Sequence, residues 1–148
     1  MRINQPGSLL LQAQTPHSLI FNGQHQETLQ VSVLEEDIFR VQHFPDGKAR
    51  LKRTWSIAAA DGDVPLEGRQ RDDLSSFSLP GFQCDQQPGQ VLITSASLQV
   101  QVDSKTGCLS WRAHPSLPVF AADLKQRAYA YDQHTEAVFH YMQRREDE

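Results

Sequence analysis

The sequence predicts an all-β fold in which short antiparallel strands form a sandwich or a barrel. Apolar and polar residues alternate at Leu29–Val33 and again at Leu98–Val102, the pattern of strands with one buried face. Turn residues separate such segments at intervals of about 8–12 residues, which is typical of sandwiches and barrels. Segments with helical composition are few, so we expect little helix.

The first half of the chain predicts two hairpins. Ile20–Gly23, upstream of the strand at Leu29–Val33, is a hairpin signal, because Asn-Gly suits a two-residue type I′ turn. Phe39–His43 alternates in the same way, and Pro45–Gly47 then predicts a turn in which the glycine takes a positive φ. Leu51–Ala58 is predicted to return as the next strand.

A long polar loop is predicted between the two halves, from residue 61 to residue 90. This interval is rich in Asp, Gly, Pro, Ser and Arg, and it has too few apolar positions to hold a regular element in place. Long loops inside compact domains are often functional. We therefore expect any contact with a molecule outside the domain in this interval.

The second half predicts a further hairpin and a mixed tail. Leu98–Val102 is followed by turn residues at Asp103–Gly107, and Cys108–Trp111 then returns with one dry face. We expect a short turn or helix near Asp123, followed by strands that start at about Ala128 and Glu136. Residues 144–148 are all charged and are expected to fray.

Composition excludes several functional classes. The formal net charge is -4, which argues against nucleic acid or an anionic membrane as the main partner, because both need clustered Lys and Arg. The start of the chain lacks an apolar run long enough for a signal peptide or a membrane span. We expect a cytoplasmic chain or one cut from its targeting signal. Cys84 and Cys108 are interpreted as small buried apolar residues, and a disulfide between them stays open.

Few residues suggest catalysis. Asp72 and Asp73 adjoin between Arg69 and Arg71 on one side and a serine-rich stretch on the other, and paired carboxylates are what glycoside hydrolysis requires. Neighbours in sequence rarely face each other across a sugar, so a structural loop network is the preferred interpretation. The histidines show no zinc-type spacing, and no phosphate-binding loop or dinucleotide motif is present. We therefore expect no metal, no cofactor and no catalytic residue in this chain.

Two passages resemble the N-terminal domains of family 31 glycoside hydrolases. Gly89–Thr94, Leu98–Val102, the turn at Lys105–Gly107 and Leu109–Trp111 together are similar to the T-x-x-L-x-V-x-V…G-x-L-x-F hairpin of those domains. The second passage, Val64–Ser75 with Phe77–Pro80, resembles a loop of fungal α-glucosidase-like members. The similarity extends from about residue 25 to about residue 144. It implies a galactose-mutarotase-like β-sandwich packed against a (β/α)₈ barrel.

The resemblance implies that residues 1–148 are a single non-catalytic domain, since the catalytic aspartates of the family lie on the barrel. The sequence ends before the Tyr-Gly-x-Gly-Glu segment that follows this domain in the family, so the barrel is expected after residue 148. The implied partners are that barrel and α-linked glucosides. In such enzymes a loop of the N-terminal domain reaches the rim of the sugar pocket. We expect the following residues to form it: Arg69, Arg71, Asp72, Asp73 and Phe77.

Two other functions remain open. A free-standing carbohydrate-binding module would need an exposed aromatic platform, whereas Trp55 and Trp111 are expected in the core. A small sugar epimerase would need a catalytic His and a carboxylate in a cleft, and no convincing pair is found. If an apolar sheet face is left without its barrel, the isolated chain should associate weakly with itself.

Overall fold

The computed structural model describes residues 7–49, 51–55, 66–125, 128–131 and 138–144, and every regular element in these ranges is a β-strand. All strand pairs are antiparallel, so the predicted all-β antiparallel sandwich is confirmed. The strands are β1 (Leu10–Gln14), β2 (Ser18–Asn22), β3 (Thr28–Glu35), β4 (Ile38–Phe44), β5 (Arg53–Thr54), β6 (Arg69–Gln70), β7 (Gln83–Gln87), β8 (Gln90–Thr94), β9 (Gln99–Asp103), β10 (Leu109–Arg112), β11 (Ala121–Ala122), β12 (Tyr129–Tyr131) and β13 (Val138–His140).

Two sheets make up the sandwich, and in each the strand order follows the chain. One sheet has the order β1-β2-β3-β4, and the other has the order β11-β10-β9-β8-β7. The pairs β5-β6 and β12-β13 form two small additional sheets. Consecutive strands are therefore neighbours throughout both main sheets.

The core lies between the two main sheets. Alternate residues of β3 point inwards, and alternate residues of β8 and β9 point towards them from the other sheet. The residues that alternate in the sequence therefore form one buried cluster. Burying a large apolar side chain of this kind stabilises the fold by about 1.5–3 kcal/mol. The buried cluster consists of Leu9, Leu19, Phe21, Leu29, Val31, Val33, Val91, Ile93, Val100, Val102, Leu109, Ala128 and Tyr129.

The outer face of the four-stranded sheet is covered at one end only. Ser32 and Leu34 alternate with the inward residues of β3, yet both are buried. The Leu79 amide donates to the Leu34 carbonyl at 3.0 Å, and Arg40 Nη1 donates to the Arg71 carbonyl at 2.9 Å. The segment from residue 71 to residue 79 therefore covers this end of the sheet.

The turn between β2 and β3 differs from the prediction. Asn22 pairs with Thr28, so the connection has five residues and is not a two-residue type I′ turn. The reason is Glu27, which is fully buried and accepts hydrogen bonds from the amides of His25 (2.7 Å) and Gly7 (3.3 Å). A buried carboxylate needs such donors, and the longer loop supplies one of them. The predicted turn after β4 is confirmed, with φ of 72° at Gly47.

The predicted loop from residue 61 to residue 90 is shorter than expected, because two strands lie inside it. β6 pairs with β5, and β7 pairs with β8 at the edge of the five-stranded sheet. Only Cys84 in β7 is half-buried and its other residues are exposed, so no apolar alternation marked this strand. The strand predicted at Leu51–Ala58 is reduced to β5, and residues 56–65 lie outside the described residues.

The C-terminal tail contains strands and, within the described residues, no helix. β11 and an isolated bridge between Asp123 and Met142 make Asp123 itself extended, and the turn expected near it lies at Lys125. β12 and β13 confirm the two predicted strands, although Glu136 and residues 145–148 lie outside the described residues. Both cysteines are free thiols, and burial raises the pKa of each. The described residues include no helix that is long and apolar enough to span a membrane.

Candidate functional site

Arg71 is held inside the loop by backbone carbonyls. Its Nε donates to the Leu51 carbonyl at 2.8 Å, and its Nη2 lies 3.4 Å from the Arg53 carbonyl. Its own carbonyl accepts from Arg40, which is half-buried on β4. The Arg40 guanidinium therefore joins the predicted rim loop to β4, and the Arg71 guanidinium joins it to β5 and the residues before it.

Asp73 belongs to a local loop network. Its Oδ1 accepts hydrogen bonds from the Ser75 amide (3.0 Å) and the Ser75 hydroxyl (2.6 Å), and its Oδ2 lies 3.9 Å from Nη2 of Arg69. The bonds from Ser75 and the charge of Arg69 lower the pKa of Asp73. The structure thus brings two of the predicted residues, Arg69 and Asp73, into contact with each other.

Asp72 and Phe77 are placed differently. Asp72 is exposed and stands at the edge of a cleft, whereas Phe77 is half-buried and its amide donates to the Leu74 carbonyl at 3.1 Å. Phe77 is not among the described residues that line the cleft. The five predicted rim residues therefore do not form one surface: one faces the cleft and the others stabilise the loop.

The cleft lies on the outer face of the four-stranded sheet, at the end that the loop leaves open. It has a volume of about 700 Å³ and opens broadly to solvent. Its described lining residues are Ile20, Asn22, Gly23, Gln24, Gln26, Thr28, Gln30, Phe44, Asp46, Gly47, Lys48, Ala49 and Asp72. Sequence reasoning missed this site. The outward polar positions of β2 and β3 were the signal that could have indicated a polar surface.

Trp55 is exposed, and the prediction that it lies in the core was wrong. Its side chain is 58% exposed, with Nε1 donating to the Leu66 carbonyl at 3.0 Å. The ring covers Gly68, where a Cβ atom would lie 2.7 Å from Cε2 of the indole. Trp55 follows the two-residue strand β5, which belongs to neither main sheet. Trp111 does pack against the core, in edge-to-face contact with Phe39 at 5.9 Å.

Three aromatic rings form a stack between β4 and the β12-β13 hairpin. Tyr129 lies between His43, at a centroid distance of 5.0 Å, and His140, at 4.8 Å. His140 Nε2 lies 2.6 Å from Oδ1 of the buried Asp123, whose Oδ2 accepts from the Leu109 amide at 2.8 Å. Burial lowers the pKa of His43 to about 4, and both of its ring nitrogens are buried without a hydrogen-bond partner among the described residues.

Asp123 and His140 form a hydrogen-bonded pair away from the residues that line the cleft. Asp123 and His140 are committed to each other and to the β10 backbone, and none of the stacked residues lines the cleft. Within the described ranges, no group of three or more His, Cys, Asp or Glu side chains could hold a metal ion. The arrangement joins the hairpin to the sandwich.

Exposed apolar side chains concentrate near the C-terminal end of the described chain. Within the described ranges, seven of the twelve large apolar side chains that are exposed lie between residues 117 and 142. Leu124 and Tyr141 are adjacent, because the Leu124 amide donates to the Tyr141 carbonyl at 2.9 Å. We name the following residues the C-terminal apolar patch: Leu124 (39% exposed), Phe139 (51%) and Tyr141 (37%). Met142 is also exposed, but it pairs with the buried Asp123 and therefore lies on the opposite face.

The architecture defines a two-sheet β-sandwich domain with a polar cleft on one outer face. Among solved structures, it is similar to the family 31 glycoside hydrolase dextranase of Flavobacterium johnsoniae in complex with glucose, with a TM-score of 0.67 and 11% identity. It is equally similar to a variant of that dextranase in complex with isomaltotriose, with a TM-score of 0.68 and 11% identity. Each likeness covers 88% of this chain and 14% of the dextranase chain.

These structural likenesses establish a shared fold. The chain spans 14% of the length of the dextranase that it resembles. No protein-family model matches the sequence. A comparison with curated proteins also found no match.

Proposed function

We propose that this chain is the non-catalytic N-terminal domain of an α-glucosidase-like family 31 glycoside hydrolase. The observation that carries the proposal is the similarity of almost the whole chain to a small part of a much longer family 31 enzyme. The hairpin and loop passages that resemble the family support the same assignment. In this role the domain packs on the catalytic barrel, and all catalytic residues lie on that barrel.

The C-terminal apolar patch is the surface that we propose contacts the barrel. Exposed apolar side chains are unfavourable in water when they lie together, and such patches commonly mark interaction surfaces. Phe139 has about half of its side chain exposed, and Leu124 and Tyr141 each have more than a third exposed. Contact with a second domain would remove this apolar area from water.

The loop from Arg69 to Phe77 is proposed to contribute to the rim of the sugar pocket. Arg71 fixes its backbone through bonds to carbonyls, and Asp72 remains exposed on the fixed segment. In the enzyme that carries this domain, Asp72→Ala should change kcat/KM for maltose by more than about twofold (~0.4 kcal/mol). Asp85→Ala makes the same change at an exposed position of β7 and is the matched control. A smaller change for Asp72→Ala would show that the loop has only a structural role.

The intact mass of the native polypeptide tests the assignment itself. A mass with room for a barrel of about 250 residues beyond this domain is expected. A native mass of 16.7 kDa, that of this chain alone, would refute the assignment.

Sedimentation of the 148-residue chain tests whether the C-terminal apolar patch is an interaction surface. We expect weak self-association that Phe139→Ser reduces and that Leu10→Ser, at a position 72% exposed on β1, leaves unchanged.

A free-standing carbohydrate-binding module is the second candidate, and the exposure of Trp55 favours it. An indole that is 58% exposed and held by a bond to the Leu66 carbonyl offers a flat apolar surface. Such a surface can stack on a sugar ring. If the native mass equals that of the chain alone, loss of sugar binding in Trp55→Ala would support this candidate.

A further inference from the structure

The cleft has the size and position of a ligand site. Its floor consists of outward residues of β2 and β3, including Ile20, Asn22 and Gln30, and one wall is the turn from Asp46 to Ala49. The volume of about 700 Å³ falls within the range of about 300–1,000 Å³ that is usual for small-molecule pockets. The exposed Asp72 contributes from the loop side.

The lining chemistry favours a neutral ligand with many hydroxyl groups. Four of the lining residues carry amides, which can both donate and accept: Asn22, Gln24, Gln26 and Gln30. Part of this capacity is used within the domain, because Gln30 Nε2 donates to Ser18 and Ser32, Gln24 Nε2 donates to Ser8, and Asn22 Oδ1 accepts from Thr28. The side-chain oxygens of Gln24 and Gln30 and the NH₂ group of Asn22 are the atoms that would meet a ligand. A sugar hydroxyl also donates and accepts, so these groups match it. The charged residues of the described lining are Asp46, Asp72 and Lys48, and this small negative excess disfavours an anion while the rest of the described lining is neutral. The apolar positions are Ile20 and Phe44, which suit the C–H face of a sugar ring.

The cleft wall is held in place by contacts between two turns. A Cβ atom at Gly47 would lie 2.8 Å from the Gln26 carbonyl oxygen, so the turn after β4 presses directly against the loop between β2 and β3. That loop is anchored by the buried Glu27 carboxylate. Gln26 itself adopts a φ of 71°, which is uncommon for a residue other than glycine. Backbone strain of this kind is often found at binding sites.

We propose that this cleft is an ancillary site that binds a neutral α-linked oligosaccharide. The position of the site follows from the cleft, and the choice of an α-linked sugar rests on the proposed function. The site would hold substrate on the sandwich, next to the loop from Arg69 to Phe77 that carries Asp72. Asn22, Gln24 and Gln30 would bind sugar hydroxyls, and Phe44 would contact a ring.

Titration of the isotopically labelled 148-residue chain with maltotriose, followed by amide NMR, tests the proposal. We expect saturable shifts at amides that line the cleft, with a dissociation constant on the order of 1 mM. Gln30→Leu should weaken binding about fivefold, the effect of losing roughly one hydrogen bond. Gln86→Leu makes the same change at an exposed position of β7 and should leave affinity unchanged. Lys48→Gln, on an exposed turn, provides a second lining variant that removes a charge without altering the sheet.

Three outcomes would overturn the proposal. In the first, the amides that line the cleft show no chemical-shift change up to a maltotriose concentration of about 10 mM, roughly ten times the expected dissociation constant. In the second, Gln30→Leu binds maltotriose as tightly as wild type does, and in the third, inorganic phosphate and not maltotriose shifts the cleft amides. Failure of this proposal and failure of the proposed function can be told apart. If the native mass reveals an attached barrel while maltotriose leaves the cleft amides unshifted, only the ancillary site is refuted. If maltotriose binds and the native mass is that of this chain alone, the cleft site stands and the assignment as an enzyme domain fails.

Discussion

His43 should make the folded chain sensitive to acid. Its imidazole lies on the inner face of β4, stacked on Tyr129 and near Tyr131, and the Glu27 carboxylate partly offsets its desolvation. Asp123 and His140 lie on the other side of Tyr129. Burial lowers the pKa of His43 to about 4, because a charged imidazole would be poorly solvated there.

The size of the effect follows from proton linkage. In the unfolded chain the imidazole takes up its proton near pH 6.5, whereas in the folded chain it stays neutral until about pH 4. Because the unfolded state binds the proton first, the free energy of unfolding falls as the pH drops through this window. One pKa unit corresponds to about 1.4 kcal/mol, so the full loss is on the order of 3 kcal/mol. Above pH 6.5 the imidazole is mainly neutral in both the folded and the unfolded chain, so His43 then causes no loss of stability.

Urea unfolding at a series of pH values from about 7 to about 4 measures this loss, with His43→Phe as the test variant. The variant keeps an aromatic ring and removes two buried nitrogens that lack partners among the described residues, so at neutral pH it should be neutral or stabilising. Between the two ends of the series, its free energy of unfolding should decline less than that of wild type, by about 3 kcal/mol. Tyr129→Phe is the control. Burial raises the pKa of Tyr129, so its hydroxyl does not titrate in this window. Parallel curves for wild type and His43→Phe would refute the reasoning.

Two further substitutions test the packing and the polar contacts of the sandwich. Phe21→Ala should lower the free energy of unfolding by about 3–5 kcal/mol, since Phe21 is fully buried and leaves a cavity; a loss below about 1 kcal/mol in urea titration would contradict the core described above. Asp123→Ala should cost about 1–3 kcal/mol, because it leaves the buried Leu109 amide unsatisfied. Faster hydrogen exchange at the Leu109 amide would accompany that loss, and unchanged exchange would show that another group replaces the carboxylate.

The main strands could be predicted because each sheet has one buried and one polar face. Leu29, Val31 and Val33 alternate with polar residues, and the structure buries all three in the core. The same alternation at Val100 and Val102 correctly marked β9. In these segments the period of the pattern and the burial of the strand have the same physical cause.

Other features depend on contacts that no local pattern reports. β7 is polar because it lies at a sheet edge, so its pairing with β8 left no apolar signature. Trp55 looked like a core residue by composition, but its short strand ends outside the sandwich. The cleft requires Gly47 to press against Gln26 and Asp72 to approach from a separate loop. Such contacts between distant turns form only after the strands have set their register.

The chain-ordered topology of the two main sheets has a consequence for how the chain folds. Every ladder in these sheets joins consecutive strands, so most backbone pairing closes short loops and costs little entropy. During synthesis, β1 to β4 can pair as soon as residue 44 is available, well before β8 exists. Until the second sheet is made, the inner face of the first, with Phe21 and Val31, has no partner. That interval is when the nascent chain is most exposed to aggregation.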